Sequence, residues 1–206
     1  MSPGVQAGAG HETGVLLRTE RLILRRWRES DLEPFAALNA DRDVMEFFPA
    51  KMERAASDDL AHRADRHLEE HRWGLFAVEV EGGEPFIGFV GLAPVLPPIP
   101  CAPAVEVGWR LTAGVWGRGY APEAARACLD YGFGELGFEE IVSFTSVVNK
   151  RSRRVMEKLG MTRDTAGDFD HPRVPEGVLR RHVLYRLRRD SAMPGGHAKS
   201  ATTGHG

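Results

Sequence analysis

Apolar positions in this chain fall into short alternating runs, interrupted by a few stretches of helical period. Leu16 to Trp27 sets Leu22 and Leu24 against Arg21 and Arg25, which predicts a first strand. Ser30-Asp31-Leu32-Glu33 has capping-box spacing and Pro34 suits a first turn, predicting a helix to about Asn39. Asp43 to Pro49 is an apolar connection containing Met45, Phe47 and Phe48. Leu60, Ala64 and Leu68 then mark one face of a second helix, from about Ser57 to His71. Leu75 to Val80 and Phe86 to Leu92 read as antiparallel strands turning at Gly82-Gly83. Pro94, Pro97, Pro98, Pro100 and Pro103 predict a loop, because each removes a backbone donor. Val105 to Leu111 is the next strand. Ala124, Ala125, Ala127, Leu129 and Phe133 continue as a helix to about Gly134, and Glu140 to Val147 is again a strand. Lys150 to Leu159 reads as a short helix closed by Gly160, before final strands at Thr162 to Asp168 and Val178 to Leu187.

The organisation is one domain over residues 15–188, flanked by tails at 1–14 and 189–206 whose Gly, Ala and Ser content predicts disorder. Its 206 residues are 42% hydrophobic, enough to build a core. A net charge of −2 argues against a general nucleic-acid binder, which would be strongly basic. No apolar run approaches the roughly 20 residues that span a membrane. Residues 1–14 lack the basic start and apolar middle of a secretory signal. Cys101 and Cys128 have neither metal-ligand nor redox spacing, and as lone thiols they suit a reducing cytoplasm. The expectation is therefore a cytoplasmic protein without metal, nucleic acid or membrane among its partners, either monomer or homodimer.

One stretch carries chemistry of its own. Trp116-Gly117-Arg118-Gly119-Tyr120-Ala121-Pro122-Glu123-Ala124-Ala125 places two glycines around Arg118 and a proline in the first turn of the following helix. A bare glycine loop feeding a helix N-terminus presents unpaired N–H groups and a partial positive charge, which suits phosphate.

This string resembles the acyl-CoA-binding loop of the GNAT superfamily of N-acetyltransferases. Its Trp-Gly-x-Gly-Tyr-Ala-x-Glu-Ala form is similar to the Rim-type branch, which modifies protein N-termini, and to small-molecule relatives. Trp116 stands where the general pattern has Gln or Arg. The order strand, two helices, three strands, helix, strand, helix, two strands is also that of the GNAT fold. The resemblance implies an α/β (α+β) chain with a mixed, mostly antiparallel central sheet of about seven strands and about four helices. The strands at Val105 to Leu111 and Ile141 to Val147 would splay apart to admit the pantetheine arm of acetyl-CoA, the co-substrate.

By that resemblance, N–H groups from Gly117 to Ala121 hold the diphosphate, with Trp116, Arg118, Tyr120 and Arg151 around it. Strand groups at Trp109, Arg110 and Leu111 meet the pantetheine and the thioester carbonyl. Asn149 would bond the pantetheine, and is also a favoured helix N-cap residue. Ser152 matches a serine that protonates the leaving thiolate in Rim-type enzymes; it is alternatively an ordinary first-turn serine. Many relatives use a tyrosine further along, where this chain has Val155 and Met156. Glu106 is the base candidate. It points away from Val105 and Val107, and a carboxylate within an apolar strand is costly to bury without a role; the alternatives are a charge on a solvated sheet face or a salt bridge to an arginine. His171 and His182 flank the last hairpin, which borders the acceptor in this fold, and Asp170 is placed to orient an imidazole; the alternative for each histidine is a purely structural role. Rim-type relatives often carry an Asp before the last strand, where this chain has Arg180 and Arg181.

The function these features imply is direct acetyl transfer to a primary amine, of a protein N-terminus or a small molecule. At pH 7 deprotonating an α-amine costs about 1 kcal/mol and a lysine about 5, so a single Glu is better matched to the former. The alternative is a non-catalytic acyl-CoA-binding module. A nucleotide binder of another α/β fold is disfavoured, because the loop lacks Gly-Lys-Ser/Thr and the strands and helices do not alternate.

Overall fold

A computed structural model describes residues 15–192. The expected tails at 1–14 and 189–206 lie outside the described residues, except that Arg189–Ala192 form a short helix, α5. The strands are β1 Val15–Arg18, β2 Leu22–Arg25, β3 Leu75–Val80, β4 Gly88–Val95, β5 Ala104–Leu111, β6 Glu140–Ser146, β7 Thr162–Asp170 and β8 Arg181–Arg188. Four longer helices are α1 Leu32–Ala40, α2 Arg54–His71, α3 Tyr120–Gly134 and α4 Lys150–Lys158. All eight strands form one sheet in the order β1-β2-β3-β4-β5-β6-β8-β7. Every pairing is antiparallel except β5 with β6.

The predicted first strand is in fact a hairpin, which raises the count from about seven to eight. Its turn holds no Gly or Pro. Thr19 Oγ1 accepts from the Leu22 N–H at 3.0 Å, and the distant Glu123 carboxylate takes the Thr19 hydroxyl at 2.6 Å and the Arg21 N–H at 3.0 Å. The expected Ser30–Glu33 capping box does not form. Asp31 instead accepts from the Arg28 N–H at 2.8 Å and is buried against Arg25. β4 runs through Pro94, opposite Val105, because β3 stops pairing at Gly91 and leaves a free edge where a missing donor is tolerated.

The core lies on both faces of the sheet. On one, Trp27, Phe35, Phe86 and Phe89 pack as tilted and edge-on rings beneath α1. On the other, α3 buries Ala124, Ala125, Cys128, Leu129 and Phe133 against the central strands. β4 and β5 are held tightly in register: at Gly88, φ is +127° and an added Cβ would stand 2.1 Å from the Arg110 carbonyl. β5 and β6 share a single register pair, Glu106 with Val142, and part beyond it.

Candidate active site

The gap between the diverging strands opens into a cavity of about 730 Å³. β5 contributes Glu106 to Leu111, β6 Ser143 to Thr145, and α4 its N-cap Asn149 and Ser152. The loop before α3 contributes Trp116, Gly117, Gly119, Tyr120 and Ala121, and the β7–β8 hairpin His171 and His182. The residues singled out from the sequence thus converge on one space, except for Arg118 and Asp170. Arg118 does not line it; its carbonyl accepts from Arg21 at 3.0 Å.

The glycine loop has the geometry its sequence predicts. Gly117 and Gly119 sit at φ 79° and 84°, in the left-handed region that a branched side chain resists. Gly119 is the N-cap of α3. Among the described residues, the N–H groups of Gly117, Arg118 and Gly119 donate to no acceptor, and the first helical N–H groups add to them. A staple invisible to the sequence reading fixes this loop. Arg21 reaches the Glu123 carboxylate with Nε at 2.7 Å, holds the Arg118 carbonyl, and lies 4.8 Å from the Tyr120 ring centre.

Glu106 shares its strand face with Gly108 and Arg110. Among the described residues no side chain pairs with its carboxylate, so the ion-pair alternative falls away. The surrounding protein pushes its pKa up to about 7 by desolvation, while the carboxylate still opens on the cavity. Asn149 caps α4: its Oδ1 accepts from the Ser152 N–H at 3.1 Å. Its Nδ2 donates to Thr145 Oγ1 at 3.1 Å and to Ser152 Oγ at 3.2 Å. The cap therefore also orients the Ser152 hydroxyl.

His171 and His182 lie 4.7 Å apart, ring centre to ring centre, beside Phe144 and Phe169. Burial lowers both pKa values, which favours the neutral form of each ring. His171 Nδ1 accepts from the Arg173 N–H at 3.2 Å, and His182 Nδ1 sits 3.0 Å from the Arg180 carbonyl. Asp170 does not orient His171; on the alternating strand it turns outward toward Arg181 at 3.4 Å. Arg151 is bound at 2.6 Å by Glu46 and stacked over Trp116 at 4.4 Å, which ties the α1–α2 connection to α4 across the cavity mouth. Arg154 and Lys158 of α4 also line the cavity, whereas Arg153 turns to the Val147 carbonyl.

Comparison with known proteins agrees with this geometry. The family model described as "Acetyltransferase (GNAT) domain" matches residues 21–162. The chain is 34% identical to the uncharacterized protein YkkB of Bacillus subtilis, over 70% of this chain and 84% of the relative. It is 32% identical to the FsC-acetyl coenzyme A-N(2)-transacetylase of Aspergillus fumigatus, over 61% of this chain and 59% of the relative. A crystal structure of a GNAT-family acetyltransferase from Bacillus anthracis superposes with a TM-score of 0.69 at 26% identity, covering 84% of this chain and 98% of that one.

Proposed function

From the premise that the chain belongs to the GNAT acetyltransferase family, we propose that it transfers the acetyl group of acetyl-CoA to a primary amine by direct attack. The observation that carries the reading is the cavity between β5 and β6, which gathers a free carboxylate, an oriented hydroxyl and a phosphate-suited loop.

In this reading the free N–H groups from Gly117 to Ala121 bind the diphosphate, with Arg154 and Lys158 adding charge. The edge of β5 from Val107 to Leu111 has no strand partner on the β6 side, and it takes the pantetheine amides as a sheet edge takes a peptide. Trp109, Arg110 or Leu111 supplies the backbone N–H for the thioester oxygen as it gains charge. Glu106, ionised above about pH 7, removes the proton from the incoming ammonium group, directly or through water. The nitrogen lone pair then forms the new C–N bond as the C–S bond breaks. Ser152, held by Asn149, gives its proton to the departing thiolate and takes back the second proton, which the new amide nitrogen sheds. His171 and His182 flank the acceptor as neutral, partly aromatic walls. The Rim-like loop sequence keeps a protein N-terminus among the acceptors alongside small amines.

The test is a CoA-release assay with acetyl-CoA and a panel of amines, with the acetylated product identified by mass spectrometry. Equal amounts of CoA and acetyl-amine support the reading. Tight acetyl-CoA binding with no transfer to any amine would favour a non-catalytic binding module.

A further inference from the structure

Two arginines among the described residues are enclosed, and they are partnered very differently. Arg25 is 1% exposed, and every N–H donor is satisfied. Asp31 binds Nη1 and Nη2 at 2.8 and 2.9 Å, Glu79 binds Nε at 2.9 Å, and the Arg26 and Pro85 carbonyls take the rest. That is what a buried guanidinium requires, because a charge left unpaired away from water is costly.

Arg110 has no such shell. Its Nη1 donates to Asn39 Oδ1 at 2.6 Å and lies 3.4 Å from the Met52 sulfur. Its Nε is sealed without a partner, and its Nη2 makes no hydrogen bond yet is not sealed. The guanidinium lies 4.2 Å from the Phe48 ring centre and 5.5 Å from that of Phe89, on the cavity wall formed with the α1–α2 connection. Among the described residues no carboxylate pairs with it, and desolvation lowers its pKa to about 10.

The other charges of the cavity agree in sign. Glu106 is its one acidic lining residue, against Arg110, Arg151, Arg154, Lys158 and Arg173. Arg151 is neutralised by Glu46, and Arg154 and Lys158 stand on α4 beside the glycine loop. Arg110 and Arg173 remain, on the α1–α2 and β7–β8 sides, without a carboxylate partner among the described residues. A polyamine would find one acidic side chain here, and that one is needed as the base.

We propose that Arg110 determines acceptor specificity: its Nη edge binds a carboxylate carried by the amine substrate, so the acceptor class is an amino acid in the broad sense. The proposal rests on the acetyl-transfer reading above. Glu106 and Arg110 share a strand face with about 13 Å between their Cα positions at 3.3 Å per residue. That spacing favours an acceptor whose amine and carboxylate are several bonds apart, as in an ω-amino acid or a peptide, over an α-amino acid. The planar, two-pronged guanidinium matches carboxylate in a way an ammonium does not.

The experiment titrates matched acceptors, 4-aminobutyrate and 6-aminohexanoate against butylamine, hexylamine and the corresponding diamines. Both calorimetric binding to the protein with and without CoA and CoA release from acetyl-CoA are read. The wild type is expected to favour the carboxylate member of each pair by about 10- to 100-fold, the range for hydrogen bonds to a charged group. Arg110→Gln is expected to collapse that ratio toward one, and Arg110→Lys to leave an intermediate ratio. Circular dichroism checks that each variant is folded. Equal affinity for both members, a preference for the diamines, or an undiminished ratio in folded Arg110→Gln overturns the proposal. Failure to bind acetyl-CoA would overturn the acetyl-transfer reading instead, and the titration without CoA would still decide whether Arg110 selects carboxylates.

Discussion

Replacing Glu106 with Gln separates what the carboxylate does for the reaction from what it costs the fold. Its pKa rises from an ordinary 4.5 to about 7 because the surrounding protein withholds water from the ionised form. A raised carboxylate pKa means that the folded protein keeps its proton to higher pH than the unfolded chain does. Stability is therefore fully present below about pH 4.5 and is lost progressively as pH rises to about 7. The full shift is worth about 3 kcal/mol at about 1.4 kcal/mol per unit, and the open cavity side of the carboxylate reduces it toward about 1–2. Gln has nearly the same shape and no charge to desolvate. Melting temperatures of the two proteins should therefore agree near pH 4. By pH 8 the variant should melt higher, by on the order of 5 °C for a chain of this size. Over the same range its turnover should fall about 10²- to 10⁴-fold, the usual contribution of a positioned base, and the wild-type acidic limb near pH 7 should vanish. A melting difference that does not change with pH would refute the buried-carboxylate argument. Wild-type turnover across pH would remove Glu106 from the mechanism.

Three further variants test the other parts of the site. Gly119→Val places a branched residue at φ 84° beside Arg21, so it should cost about 1–3 kcal/mol of stability and weaken acetyl-CoA binding about 10-fold or more; unchanged affinity by calorimetry would sink the loop assignment. Ser152→Ala should lower kcat by about 10²-fold or more with both KM values nearly unchanged, and wild-type kcat would exclude the serine as the acid. His171→Ala and His182→Ala should each raise the acceptor KM about 5-fold while acetyl-CoA binding stays normal; a loss of melting temperature with unchanged kinetics would make the histidines purely structural.

What the sequence made legible was local. The two glycines before α3 needed positive φ, the Asn149 side chain capped the helix it opens, and alternation turned Glu106 away from Val105 and Val107. The features it concealed join residues far apart in the chain. Arg21 and Glu123 are separated by about a hundred positions, yet they fix both the glycine loop and the first hairpin turn. Arg25, Asp31 and Glu79 form a buried ion-pair cluster that period-two patterning reads as ordinary alternation. The same blindness hid Arg110, whose meaning lies in the carboxylate it does not meet. His171 shows the converse: an adjacent Asp170 suggested a partner, but neighbours along a strand point to opposite faces.

The central claim is that the opening between β5 and β6 seats acetyl-CoA with its thioester beside Glu106 and Ser152. A crystal structure of the protein with CoA measures this directly. The account predicts the diphosphate on the N–H groups of Gly117 to Ala121, the pantetheine along the free edge of β5, and the sulfur at the Ser152 hydroxyl. A CoA molecule bound elsewhere, with β5 and β6 zipped together beyond Glu106, would contradict it.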